Sequence, residues 1–125
     1  MTALFADPAP DDLVALDLHR SDAAVCIVAT GEIDSSSAPQ CRQILDPLLV
    51  EEGLSEIVVD LRGVTVLDSA GLCVLAAAHR RTKGRDVQLR VLASSRAVIR
   101  PLQITGLWDL LRVEQSNVAT LPVRN

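Results

Sequence analysis

The chain has 125 residues, a length that suits one domain. Apolar residues make up 49% of it and aromatic residues only 2%, so a buried core must consist mainly of Leu, Val, Ile and Ala. The formal net charge is -4, and no basic block is longer than the pair Arg80 and Arg81. These features argue against direct binding to nucleic acid, which needs a clustered cationic surface.

The sequence also argues against export and against membrane insertion. Cys26, Cys41 and Cys73 are odd in number and unpatterned in spacing, which is not typical of a secreted disulfide scaffold. The first residues lack the basic segment and the long apolar run of a signal peptide. The longest apolar run, residues 72–78, is far shorter than the roughly 20 residues that a membrane span needs. We therefore expect a cytoplasmic protein without a membrane span.

Along the chain, apolar segments predict strands that alternate with helices. Residues 1–12, with two prolines and three aspartates, are predicted to form a flexible tail. The predicted strands, in chain order, are residues 13–18, 25–28, 56–61 and 87–92, with a break at 62–63, further extended residues at 64–67 and a short closing segment at 107–113. Predicted helices begin near Ser37, Ser69 and Ser95. No helix separates the first two strands, so we expect an α/β fold with a mixed sheet of four to five strands and helices mainly on one side.

The pair Asp68-Ser69 follows an extended segment and opens the second helix. Ser69 is placed either to cap backbone N–H groups of that helix or to be offered to a kinase. A phosphate there would carry about −1.5 to −2 charge at pH 7. Free N–H groups and the helix dipole favour anions at this end of a helix, so the modification is expected to leave the fold intact.

The second helix is apolar on nearly all sides. Leu72, Leu75, Ala76 and His79 recur at helical spacing and are predicted to face the core. The residues between them are also small or apolar. Such a helix is either fully buried or covers a partner with its second face, and the pattern leaves both alternatives open.

Three segments of the sequence are distinctive: GEID at 31–34, VVDLRGVTVLDSAGL at 58–72 and SRAVIRPLQITGL at 95–107. Together they resemble the STAS domain, and most closely its stand-alone bacterial form, the anti-sigma factor antagonists. The resemblance covers about residues 13–121, which would leave 122–125 as a C-terminal tail. Its most specific part is the Asp-Ser-x-Gly-Leu segment.

The resemblance implies a switch between protein partners rather than an enzyme. The unmodified antagonist would bind an anti-sigma factor that is also a serine kinase and would thereby release a sigma factor. Phosphorylation of Ser69 by that kinase would end binding, and a serine phosphatase would restore it. The implied partner-binding residues are Asp34, Asp68, Ser69, Ala70, Gly71, Leu72 and Cys73.

Two residues depart from the family pattern. Ala70 stands where the family often has a second Ser or Thr, which leaves Ser69 as the single hydroxyl acceptor of the motif. Cys73 stands where the family often has Gly; it is interpreted as a small packed residue, with oxidant sensing as the alternative.

Other functions find less support in the sequence. No glycine-rich phosphate loop and no zinc-ligand spacing occurs, so no cofactor, metal or catalytic residue is predicted. Ser69 and His79 lie almost three helical turns apart, too far for a catalytic hydrogen bond. The alternative function is that of a STAS adaptor subunit in a stressosome or a lipid-transport complex, in which Ser69 stays unmodified.

Overall fold

A five-stranded sheet organises residues 14–115, the part of the chain that the computed structural model describes. The strands are β1 (Val14–Ser21), β2 (Ala24–Ile33), β3 (Glu56–Leu67), β4 (Gln88–Ala93) and β5 (Glu114–Gln115). They lie side by side in chain order, with β1 antiparallel to β2 and every other neighbouring pair parallel. The predicted mixed sheet and antiparallel first pair are confirmed, whereas both predicted tails fall outside the described residues.

Four helices connect or follow the strands within residues 14–115. They are α1 (Ala38–Val50), α2 (Ser69–Thr82), α3 (Arg96–Ile104) and α4 (Leu107–Leu110). The first three begin at or next to the predicted serines. Pro47 and Pro101 lie inside α1 and α3 without ending them. The predicted closing segment at 107–113 is largely α4.

One face of the sheet carries the main core. Strand residues such as Ile57 and Val59 form a single buried cluster with helical residues such as Leu45, Leu75 and Leu102. On the opposite face, Cys26, Val58 and Leu92 form a separate small cluster that contains no helical residue among those described. The helices therefore cover one side of the sheet, as the sequence predicts.

The predicted break at residues 62–63 is wrong, because β3 runs unbroken from residue 56 to residue 67. A Cβ atom built on Gly63 would lie 2.6 Å from Cγ2 of Thr30 on the neighbouring strand. The pairing of β2 with β3 shifts register on both sides of Thr30. Gly63 is thus needed for the close approach of two strands at an irregularity rather than for ending a strand.

Strands β2 and β3 end side by side, since Ile33 pairs with Leu67. The backbone N–H of Asp68 donates a hydrogen bond to the carbonyl of Ile33 at 3.1 Å. The loop that follows β2 and the first turn of α2 consequently meet at one end of the sheet.

Candidate partner-binding surface at the start of helix α2

Asp68, and not Ser69, caps helix α2. Asp68 has extended backbone angles (φ -102°, ψ -168°), and its Oδ1 accepts hydrogen bonds from the N–H groups of Ala70 at 2.9 Å and Gly71 at 3.3 Å. Ser69 is the first helical residue, it is exposed, and its hydroxyl has no hydrogen-bond partner among residues 14–115. The capping alternative for Ser69 is therefore wrong, and its hydroxyl is free to react.

The cap also changes the electrostatics expected at this helix start. A phosphate on Ser69 was expected to be accommodated by free N–H groups, but the Asp68 carboxylate already occupies those of Ala70 and Gly71. A phosphate would therefore lie beside a carboxylate and project into solvent. Its charge would add to that of Asp68, and two of the N–H groups at this helix start are already bonded to Asp68.

Asp34 organises the loop between β2 and α1. Its Oδ1 accepts hydrogen bonds from the N–H of Ser36 at 2.9 Å, the hydroxyl of Ser36 at 2.7 Å and the N–H of Ser37 at 3.2 Å. These bonds, led by that from the Ser36 hydroxyl, lower the pKa of Asp34 from its usual range. The buried hydroxyl of Ser37 accepts from the N–H of Asp34 and donates to the carbonyl of Glu32. The loop is thus held in one conformation and presents an ionised carboxylate.

Gly71 brings the first turn of α2 against the strand ends. A Cβ atom added to Gly71 would lie 2.5 Å from Cδ1 of Leu67 and 2.8 Å from Cγ2 of Ile33. Real Cβ atoms do not approach other heavy atoms so closely, so a larger residue would require the Leu67 and Ile33 side chains or the helix start to move. Gly71 therefore has a packing role and fixes the position of its neighbour Ser69.

The buried face of α2 differs from the predicted one. The residues that face the core are Gly71, Val74, Leu75, Ala78 and Thr82. Leu75 was predicted correctly, but Leu72, Ala76 and His79 are only half-buried, because the true stripe is turned by about one residue. The alternative of a fully buried helix is therefore wrong, and α2 keeps a second, partly exposed face.

The structure brings the sequence-predicted site residues to one end of the domain, in different environments. Ser69 and Cys73 are exposed, one helical turn apart; Asp34, Asp68, Ala70 and Leu72 are half-buried; Gly71 is buried. We name the accessible members of this set, Asp34, Asp68, Ser69, Ala70, Leu72 and Cys73, the switch surface. Val66, two residues before Asp68, leaves 39% of its surface exposed, which the sequence pattern did not indicate. A large apolar residue left exposed at a strand end is a signal that only the fold reveals.

The other chemical candidates stay apart from one another. His79 lies ten residues after Ser69 on the same helix, about 15 Å along its axis. Within residues 14–115 no three His, Cys, Asp or Glu side chains are grouped so that they could hold a metal ion. All three cysteines are free thiols, and burial raises the pKa of Cys26 and of Cys41 to about 11. No helix in the described range is both long and apolar enough to cross a membrane.

Comparison with known proteins identifies the family. The STAS domain model matches residues 15–119. The anti-sigma-B factor antagonist of Listeria monocytogenes is 33% identical over 102 residues, which cover 81% of this chain and 89% of that protein. The crystal structure of an anti-sigma factor antagonist from Mycobacterium paratuberculosis has a TM-score of 0.77 at 28% identity, over 87% of this chain and 91% of that one. Bacillus SpoIIAA in its phosphorylated form shares the fold, with a TM-score of 0.66 at 18% identity over 82% and 92% of the two chains.

The chain belongs to the STAS domain family. The similar proteins named above are anti-sigma factor antagonists, which agrees with the resemblance seen in the sequence.

Replacing the cap residue is expected to destabilise the domain. Asp68→Ala removes the acceptor for two N–H groups at the start of α2 and should cost about 1 kcal/mol of unfolding free energy. Urea unfolding followed by circular dichroism measures the loss. Ser69→Ala serves as the matched control and should change the midpoint little, because the Ser69 hydroxyl has no partner among the described residues. Equal losses in the two variants would contradict the assignment of the cap.

Proposed function

We propose that this chain is an anti-sigma factor antagonist that binds its cognate anti-sigma factor through the switch surface. The anti-sigma factor is also a serine kinase, and it releases the antagonist when it phosphorylates Ser69. A serine phosphatase then restores the binding form. The protein works in the cytoplasm as a regulator of transcription, by protein binding and without catalysis of its own.

The observation that carries this proposal is the state of the Ser69 hydroxyl. It is exposed and free of hydrogen bonds to residues 14–115, although it lies at a capped helix start. A capping serine would have to give up a native contact on phosphorylation, whereas Ser69 loses none. Relatives named as anti-sigma-B factor antagonists support the choice of partner, and the phosphorylated form of SpoIIAA supports the chemistry of the switch.

The side chains of the switch surface suit a protein partner. Leu72 and Cys73 are small or apolar groups of the second face of α2, next to the free hydroxyl. Asp34 and Asp68 place two carboxylates at the same end of the sheet. A partner that covers this area needs apolar contact with α2 and donors or cations that face the carboxylates.

The Ser69→Ala variant tests phosphorylation of the chain separately from its binding to the anti-sigma factor. The variant is expected to fold and to bind the anti-sigma factor about as well as the native chain, because Asp68 keeps the cap. It is expected to accept no phosphate. The measurement is incubation with the cognate anti-sigma kinase and ATP, followed by mass spectrometry of the intact chain and of its peptides.

A matched control tests the site against its neighbours. Ser35→Ala removes another exposed hydroxyl at the same end of the domain, one without a hydrogen-bond partner among residues 14–115, and should leave phosphorylation unchanged. Phosphate on the Ser69→Ala variant at the native level would exclude Ser69 as the acceptor. A native chain that binds the anti-sigma factor but takes up no phosphate would favour the adaptor function over the switch.

A further inference from the structure

A groove lies at the opposite end of helix α2 from the switch surface. It has a volume of about 520 Å³ and lies between the last turn of α2, the first residues of β4 and the end of α4. Val87, Leu89 and Leu110 give it apolar lining, and Leu110 leaves 52% of its surface exposed. Exposed apolar surface of this kind often marks a binding site, and this groove is separate from the switch surface.

The groove follows a strand edge that lacks a partner. Strand β5 pairs only with Leu92 and Ala93 of β4. The outer edge of β4 from Gln88 to Val91 therefore has no neighbouring strand among residues 14–115. Such an edge offers unpaired backbone donors and acceptors to any extended segment that lies beside it.

Cations from two different elements line the same groove. Lys83 follows α2 and Arg112 follows α4, and neither forms an ion pair with a residue in the range 14–115. The dipole of α2 accounts for a cation at its C-terminal end, but Arg112 lies on another element. Arg112 also has a φ of 52°, a backbone conformation that costs free energy in a residue other than glycine. Glu114 also lines the groove but is paired with Arg90 at 2.9 Å. The groove thus combines an unpaired strand edge, apolar lining and two cations without an ion-pair partner among residues 14–115.

The first twelve residues of the chain carry the complementary features. Residues 3–6 are Ala-Leu-Phe-Ala, followed by Asp7, Asp11 and Asp12, and the segment contains no Lys or Arg. We propose that residues 1–12 of a second copy of this chain lie along the open edge of β4. Leu4 or Phe5 would then fill the groove, and the aspartates would face Lys83 and Arg112.

Distance favours a second copy over the same chain. Val14 lies on the far edge of the sheet, three strand spacings or about 14 Å from β4. Through Gly31 of β2, Val14 lies at the same height in the sheet as Val64 of β3. Leu89, which lines the groove, pairs with Ile57, and Ile57 lies seven residues or about 23 Å along β3 from Val64. Leu4 lies ten residues before Val14 and could span about 36 Å, so the apolar residues alone do not decide between the two copies. Asp11 and Asp12 lie three and two residues before Val14 and reach at most about 11 Å from it, so in the same chain they could not face Lys83 and Arg112.

Charge reversal on the two sides of this contact tests the proposal. One variant of the full chain carries Asp7→Lys, Asp11→Lys and Asp12→Lys, and the other carries Lys83→Glu and Arg112→Glu. In analytical ultracentrifugation the native chain should self-associate, and added salt should weaken the association. Each variant alone should lose about tenfold or more in affinity, and an equimolar mixture should associate again because opposite charges then meet.

The control is the pair Arg85→Glu and Arg100→Glu, which reverses two exposed cations outside the groove and should leave association unchanged. Circular dichroism confirms that each variant is folded. A native chain that stays monomeric up to about 1 mM would overturn the proposal, since that is the weak limit of specific association. Loss of association in the aspartate variant alone, with no effect of Lys83→Glu and Arg112→Glu, would overturn the assignment to the groove.

Discussion

Phosphorylation of Ser69 is expected to weaken binding to the anti-sigma factor by about a thousandfold, roughly 4 kcal/mol, while the domain stays folded. The phosphate adds about −1.5 to −2 charge to a surface that the partner must desolvate, and an unpaired charge is costly to desolvate. The Asp68 carboxylate already holds the N–H groups of Ala70 and Gly71, so the helix has little to offer the new anion.

The fold should tolerate the modification because Ser69 gives up no contact within residues 14–115. Gly71 packs against Leu67 and Ile33 and keeps the helix start in place. Binding by calorimetry and thermal unfolding should therefore be measured on the same phosphorylated sample. Ser69→Asp should have a smaller effect, since it adds one charge with planar geometry.

Ser55→Asp is the matched control, because it adds a charge at an exposed serine next to the other end of β3 and should leave binding unchanged. If affinity falls only because the phosphorylated domain has unfolded, the mechanism through surface charge is wrong. Stronger binding after phosphorylation would reverse the direction of the switch.

Arg62→Met is expected to cost about 3 kcal/mol of unfolding free energy. Asp60 is buried in β3 with 4% of its side chain exposed, and Arg62 covers it with two hydrogen bonds, at 2.9 and 2.8 Å. Without the guanidinium, the remaining partner of the carboxylate among residues 14–115 is the N–H of residue 62 itself. A buried carboxylate that loses its cation is strongly destabilising.

Two further variants distinguish pairing from general loss of charge. Arg20→Met breaks the exposed pair with Glu51 and should cost much less, because solvent already screens that pair. The double variant Asp60→Leu with Arg62→Met removes both charges and should recover part of the stability lost in the single variant. Urea unfolding compares all four chains. A double variant less stable than Arg62→Met would contradict this account of the pair.

The sequence predicted the alternation of strands and helices, because that alternation depends on apolar periodicity, whereas the candidate site residues came from the Asp68-Ser69 segment and the family resemblance. It gave the capping role to Ser69 and not to Asp68, since both residue types cap helices and only the extended backbone of Asp68 decides. The predicted buried face of α2 differs from the observed one by one residue. Small apolar residues occur on nearly all sides of this helix, so the helical periodicity of its apolar residues is weak. The predicted break at Gly63 was wrong because the sequence cannot show why a glycine is present. Here the glycine is required by the close approach of Thr30 on the adjacent strand β2, and in sequence it looks the same as a glycine that ends a strand.

The capped first turn of α2 has a consequence for any enzyme that acts on Ser69. The residues around this serine are helical, with the N–H of Leu72 bonded to the carbonyl of Asp68 at 3.0 Å. A kinase that threads its substrate as an extended strand would have to melt this turn first. An enzyme that binds the folded turn instead recognises a surface formed by two segments that are distant in sequence, the start of α2 and the loop after β2. Under the proposed switch, such an enzyme would phosphorylate the folded antagonist and would not phosphorylate nascent or unfolded chains. Phosphorylation would then be confined to molecules that are able to bind the anti-sigma factor.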